Sequence, residues 1–297
     1  MRYKVYGSVL KSDIVFSQLP EDFSDDPEDF EILTTEIPDA VKQHIREHKG
    51  PSGRGDGFVW VNTPGGYFCI LDGKKIVTEE KNEGNLAKMR TYLLGYGLAL
   101  LFYDRGEMAV HCSAVEKDGN GILLAGGSGA GKSTLAEVFL DRGWKLVADD
   151  VAVVKLKDRH PVTDPAFPVR KLCRDAALMY GYDLSRLAYI DEEKDKFAVA
   201  CPEVFADGQA RIKAMFVLTP CGEEKVRAEE VTGQEKIQLF TDHLFLHIIL
   251  KTEGIAPDKF FRCLEILSEL PVFRIYRPLS GGMCAEEMAD LAVKQIL

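Results

Sequence analysis

The sequence predicts an α/β fold, a phosphate-binding core with a small α+β unit in front of it, and three observations predict it. An apolar run, Ile122 to Ala125, feeds a glycine-rich segment ending in Lys-Ser. A short helix-forming run follows. A second strand-like run, Trp144 to Ala148, then returns at once and ends in two aspartates. Strand, loop, helix and strand in that order is the plan of a crossover unit whose flanking strands run parallel and bind ligands at their carboxyl ends.

Residues 1–84 read as the small unit and 85–297 as the core. RYKVYGSV, GFVWVN and YFCILDGKKIVTEE alternate as strands, with Asp72-Gly73 a hairpin turn, and predict an antiparallel sheet. SDDPEDFE and HKGPSGRGDG, rich in charge, Gly and Pro, read as exposed loops. From Asn85, a plausible N-cap, to Tyr103, the residues Leu86, Met89, Tyr92, Leu93, Tyr96, Leu100 and Leu101 recur at helical spacing. MAVHCSAVEKDGNGILLAGG reads as two strands around a turn at Lys117 to Gly121. Helix Thr134 to Arg142 and strands Lys145 to Ala148 and Val151 to Lys155 come next, before Pro161, Pro165 and Pro168 interrupt the chain. A helix over Arg174 to Tyr180, a core strand RIKAMFVLTP, helices Lys236 to Leu250 and Pro257 to Leu270, a strand VFRIYRP and a final amphipathic helix from Ala285 complete the reading.

The chemistry centres on Gly126-Gly127-Ser128-Gly129-Ala130-Gly131-Lys132-Ser133, which satisfies the G-x-x-x-x-G-K-[ST] phosphate loop in the right strand-to-helix context. Glycines let the backbone N–H groups turn inward, and the helix N-terminus at Ser133 and Thr134 adds its dipole to the same concavity. Lys132 is expected to reach the β- and γ-phosphates of a nucleotide and the Ser133 hydroxyl to ligate Mg²⁺. Asp149 and Asp150 should emerge near those phosphates. Two adjacent carboxylates need a positive partner, and Mg²⁺ would supply it: one Asp binds metal while the other accepts a proton from an attacking hydroxyl.

Three segments together, His111-Cys112-Ser113-Ala114-Val115, GGSGAGKSTLA and RGWKLVADD, resemble the HPr kinase/phosphorylase family and its smaller HPr-kinase-like relatives. Phosphoenolpyruvate carboxykinases share the loop form more distantly. The resemblance implies a P-loop kinase core, ATP as donor, Asp149 as general base with His111 beside it, and Asp150 as the acid nearest the metal. Tyr92-Leu93-Leu94-Gly95, Arg105-Gly106 and His111 look like the relatives that phosphorylate a peptide hydroxyl, lasso-peptide kinases among them. The second family signature, a Pro- and Gly-Arg-containing loop tied to dephosphorylation and hexamer assembly, is not found, so phosphorylase activity is not expected. Arg170 and Lys171, and beyond them Lys194 and Lys196, are cations that either line the phosphoryl site or lie on the solvated surface.

Composition narrows the alternatives. A formal charge of -10 opposes sequence-independent binding to nucleic acid or anionic lipid, and seven scattered cysteines without a C-x-x-C pair support neither a zinc site nor a disulfide framework. With no long apolar run, a cytoplasmic location is expected. The acceptor would carry a serine-like hydroxyl on a peptide, protein or small molecule. A non-catalytic nucleotide-binding regulator is the competing reading, and a carboxykinase-like lyase lacks assignable ligands. Self-association into a homo-oligomer stays open, because no leucine-rich seam marks an interface.

Overall fold

A computed structural model of the 297-residue chain describes all residues except 49, 82–85, 192–194, 223, 247–249, 251–253, 280–283 and 297. Asn85, the expected cap, the 84/85 boundary and Lys194 lie outside the described residues.

The N-terminal sheet has seven strands in the spatial order Arg2–Val5, Ser8–Ser12, Phe30–Thr34, Lys75–Glu80, Gly66–Leu71, Phe58–Thr63 and Ser52–Gly55. It is mixed, which corrects the antiparallel expectation. Ser8–Ser12 runs parallel to Phe30–Thr34, which in turn runs parallel to Lys75–Glu80. A helix unforeseen in the sequence, Asp39–Glu47, lies between those last two strands in the chain and tucks Val41 into a small core with Trp60, Cys69 and Val77. SGRG is an edge strand rather than a loop, because its backbone pairs with Phe58–Thr63. RYKVYGSV is two strands: Tyr6 (φ 50°) and Gly7 (φ 75°) are both left-handed and reverse the chain. Asp72 and Gly73 make the expected turn in the same way, with φ of 50° and 60°.

The long helix is Leu86–Tyr92 continued by Leu98–Asp104, with a wider π-helical turn over Leu93–Gly97 between them. It packs its apolar residues against a nine-stranded sheet. Down that sheet run Lys145–Ala148, Cys112–Lys117, Asn120–Gly126 and the twelve-residue Ala210–Cys221. The early part of Ala210–Cys221 pairs with His160–Thr163, which leads on to Ala152–Lys157 and Met108–Val110; its later part pairs with Val272–Pro278, which Arg227–Val231 covers. Pro161 thus sits inside a strand, and Met108–Val110 is a separate strand from Cys112–Lys117. The loop helix, Lys132–Asp141, buries Leu135, Ala136, Phe139 and Leu140 against one face of the sheet beside the last helix, Ala285–Ile296. Each fully buried apolar side chain of that size contributes roughly 1.5–3 kcal/mol.

Two details of this topology position the site. Cys112–Lys117 lies between Asn120–Gly126 and Lys145–Ala148, antiparallel to both. The two strands flanking the loop helix therefore run in the same direction, as expected, but are one strand apart. Asn120–Gly126, Ala210–Cys221 and Val272–Pro278 are also mutually parallel, so Gly126, Ala148 and Pro278 all finish at one end.

Candidate active site

The loop begins where the strand can no longer carry side chains. Gly126 has φ 145°, and a Cβ there would lie 2.8 Å from the Leu218 carbonyl oxygen; Gly129 and Gly131 follow at φ 73° and 100°. Helix Lys132–Asp141 starts with no side-chain cap, so its first N–H groups have no such acceptor. The Lys132 ammonium folds over the loop, donating to the Gly126 carbonyl at 2.7 Å and the Gly127 carbonyl at 3.2 Å. Burial and the nearby Lys196 lower its basicity against the pull of Asp150, Cys112 and Asp149. Sequence reasoning missed Arg277, whose guanidinium donates to the Ala130 carbonyl at 2.8 Å and the Gly129 carbonyl at 3.1 Å. Its signal was present in the closing strand: Val272–Pro278 ends beside the loop only because it is parallel to Ala210–Cys221.

Asp149 and Asp150 arrive at the same end, with Asp150 in the left-handed region at φ 73°. The turn gives the two carboxylates opposite surroundings. Asp149 Oδ1 accepts from the Ser113 hydroxyl at 2.8 Å and Oδ2 from the Lys171 backbone N–H at 2.7 Å. Burial raises its pKa, opposed by the Lys171 N–H, while the Asp150 charge raises it further. Asp150 Oδ2 instead accepts from the Lys171 ammonium at 2.7 Å, with Lys196 3.9 Å from Oδ1. Burial alone would raise Asp150, but Lys171, His111 and Lys196 override it and hold the carboxyl well below the usual range. The two neighbouring carboxyls are thus shifted in opposite directions, Asp149 upward and Asp150 downward.

His111 stands next to this pair. Its backbone N–H donates to the His243 carbonyl at 2.7 Å, and its ring stacks on Phe245 at 6.0 Å, while Phe245 lies 5.0 Å from Tyr96 of the π-helical turn. Cys112 is buried behind it, its thiol pushed up to about 12 by desolvation. Of the expected cations, Arg170 and Lys171 part company. Arg170 is buried and ion-pairs with Glu137 of the loop helix, also donating to the Tyr182 hydroxyl at 2.7 Å. Lys171 and Lys196 face the acids. Alternation separates them: Arg170 and Lys171 are consecutive in one strand and so point to opposite faces. Tyr6, from the turn of the first hairpin, donates its hydroxyl to the Val151 carbonyl at 3.1 Å, directly behind Asp150.

Residues 105–168 match the family model of the HPr Serine kinase C-terminal domain. This stretch is HPr-kinase-related. The chain is 53% identical over 47 residues to an HPr kinase/phosphorylase of Chlorobaculum tepidum, covering 16% of this chain and 14% of that one. It is 43% identical over 68 residues to an HPr kinase/phosphorylase of Lactobacillus acidophilus, covering 22% and 21%. The matches thus span about a fifth or less of these relatives. The HPr(Ser) kinase/phosphatase structure from Coxiella burnetii aligns over 63% of this chain and 94% of that chain at 16% identity, with a TM-score of 0.32.

The residues fit a Mg²⁺-nucleotide. The candidate donors at this end of the sheet are hard oxygens, the Ser133 hydroxyl in the first turn of the loop helix and the Asp150 carboxylate just after strand Lys145–Ala148. That suits Mg²⁺, which takes one or two protein oxygens and completes its shell with phosphate and water. The uncapped helix and left-handed glycines supply the phosphate cradle. Among the described residues no helix is long and apolar enough to cross a membrane.

Proposed function

We propose that the protein is a kinase that transfers the γ-phosphoryl group of ATP to a serine-like hydroxyl of a peptide, protein or small molecule. The observation that carries this reading is the unequal pair at the end of strand Lys145–Ala148: Asp149 held by neutral donors, Asp150 held by two lysines. A nucleotide-binding regulator would need a phosphate loop but no carboxyl poised for proton uptake. The names of the relatives, HPr kinase/phosphorylase, support the kinase class.

In the proposed reaction the acceptor oxygen forms a bond to the γ-phosphorus as the bond from that phosphorus to the β,γ-bridging oxygen breaks. The acceptor proton passes to Asp149 Oδ2 or Oδ1, and ADP leaves with the bridging oxygen. Ser113 and the Lys171 N–H orient that carboxylate before the acceptor arrives. Lys132 moves from the loop carbonyls to the β- and γ-phosphate oxygens. Bound through Ser133 and Asp150, Mg²⁺ would neutralise charge on the β- and γ-phosphates. His111, beside Asp150, offers a second proton-transfer group. Arg277 keeps the loop carbonyls turned away from the phosphate site, so that N–H groups face inward.

The test offers free serine, HPr carrier protein and serine-containing peptides to the protein with Mg²⁺ and γ-labelled ATP, alongside Asp149→Asn. Label transfer to one acceptor, lost in the variant, supports the kinase. Nucleotide binding by both proteins with no acceptor or water ever attacked would leave the regulator.

A further inference from the structure

Lys171 makes two contacts with the acid pair, and they are chemically separable. Its backbone N–H fixes Asp149 at 2.7 Å, while its side chain reaches Asp150, also at 2.7 Å. The strand that carries it, Val169–Cys173, pairs antiparallel with Lys196–Ala200, with Lys171 opposite Ala198 and Cys173 opposite Lys196. Residues two apart share a face, so Lys171 and Lys196 project from the same side of this small sheet. The other side carries Arg170, whose pairing with Glu137 and Tyr182 fixes the sheet to the loop helix. The two ammonium groups are therefore delivered to Asp150 by an anchored element.

The Lys171–Asp150 pair is mostly buried, its side chains 23% and 16% exposed. Its placement has a further use. The carboxylate that the ammonium covers is the one the proposed reaction assigns to the metal, and a cation seated on Asp150 must leave, or turn aside, before a hard divalent ion can take the same oxygens. The displaced ammonium stays tethered by its own strand, and Lys196 beside it already acts on Lys132 of the phosphate loop.

We propose that Lys171 holds the metal's place on Asp150 until the metal-nucleotide arrives, and that its ammonium then turns, with Lys196, onto the oxygens of the transferring phosphoryl group. The first half stands on the geometry of the acid pair; the second rests on the phosphoryl-transfer reading. A placeholder makes an opposite-signed prediction that a structural residue or an ordinary phosphate ligand does not. Removing the ammonium strengthens metal binding and weakens transfer.

The probe is Mn²⁺ alone, titrated into the full chain and followed by the electron paramagnetic resonance signal of the free ion, with thermal melting as the check on folding. Lys171→Met keeps the alkyl stem and the backbone N–H. It is expected to bind Mn²⁺ about tenfold tighter than wild type, a modest coupling between competing cations, and to transfer label from ATP at least about 100-fold more slowly, since a charge on the transferring group is lost. Lys171→Arg keeps a cation and should show the smaller change in both. In an Asp150→Asn background, Lys171→Met should leave Mn²⁺ affinity unmoved. A folded Lys171→Met protein whose Mn²⁺ affinity is unchanged or weaker overturns the placeholder. Tighter Mn²⁺ binding in a protein whose wild type phosphorylates no acceptor and hydrolyses no ATP overturns the kinase reading instead, and leaves the competition on Asp150 in place.

Discussion

Arg170→Met tests whether the buried pair across to the loop helix holds the active site together. The substitution leaves the Glu137 carboxylate, whose side chain is 16% exposed, without its partner, and the Tyr182 hydroxyl without its 2.7 Å donor. Breaking one side of a buried pair costs about 3–5 kcal/mol, and the residual exposure of Glu137 points to the lower end, about 3 kcal/mol. For a chain of this size that corresponds to a fall in Tm of roughly 5 °C. Removing both charges, in Arg170→Met with Glu137→Leu, should recover at least about 2 kcal/mol, because the stranded carboxylate is gone. Denaturant unfolding followed by tryptophan fluorescence reads this directly, since the Trp144 ring lies 4.9 Å from Phe139 on the helix that bears Glu137. A single variant that costs under about 1 kcal/mol, or a double variant that is simply additive, would refute the anchoring role.

The remaining expectations concern the loop and the acids. Gly126→Ala places a methyl 2.8 Å from the Leu218 carbonyl at φ 145°, so it should cost more than about 1 kcal/mol and weaken nucleotide binding at least about tenfold by calorimetry. Arg277→Met frees the Ala130 and Gly129 carbonyls and should raise the Kd for ATP by about tenfold with little change in Tm; an unchanged Kd would show that the loop holds its shape without it. Ser113→Ala removes a donor that favours ionised Asp149. The acidic limb of the pH–rate profile should therefore move to higher pH, with several-fold slower transfer on that limb, while Ser113→Thr stays close to wild type. The linkage for Asp150 has the reverse sign: held below the ordinary carboxylate range, it adds stability above that range and loses it as pH falls through the folded-state value, so Lys171→Met should flatten acid unfolding measured by circular dichroism.

The phosphate loop and its flanks were legible because their geometry is local. Glycines at 126, 129 and 131, a Lys-Ser ending and an apolar strand state the conformation within a dozen residues, and the strand direction that brings Asp149 alongside follows from a single crossover. What escaped was long-range. The insertion of Cys112–Lys117 between the two flanking strands, which brings the Ser113 hydroxyl to Asp149, leaves no mark in either segment. Arg277 reads as an ordinary surface cation until the register of its strand is known, and the two readings open for Lys196 separate only with the register of its own. Helix Asp39–Glu47 was hidden by a charged sequence that buries little beyond Val41. The mixed N-terminal sheet depends on pairings that alternation cannot choose between, since parallel and antiparallel strands share the same period.

The hairpin turn at Tyr6 and Gly7 sets a clock on the acid pair. Tyr6 donates its hydroxyl to Val151, 145 residues further along, and its backbone N–H to Pro165. At synthesis rates of about 5–20 residues per second, the turn waits on the order of 10 s for those partners. A tryptophan-free label on this hairpin should accordingly report the last docking event in refolding rather than the first, because so wide a closure comes late.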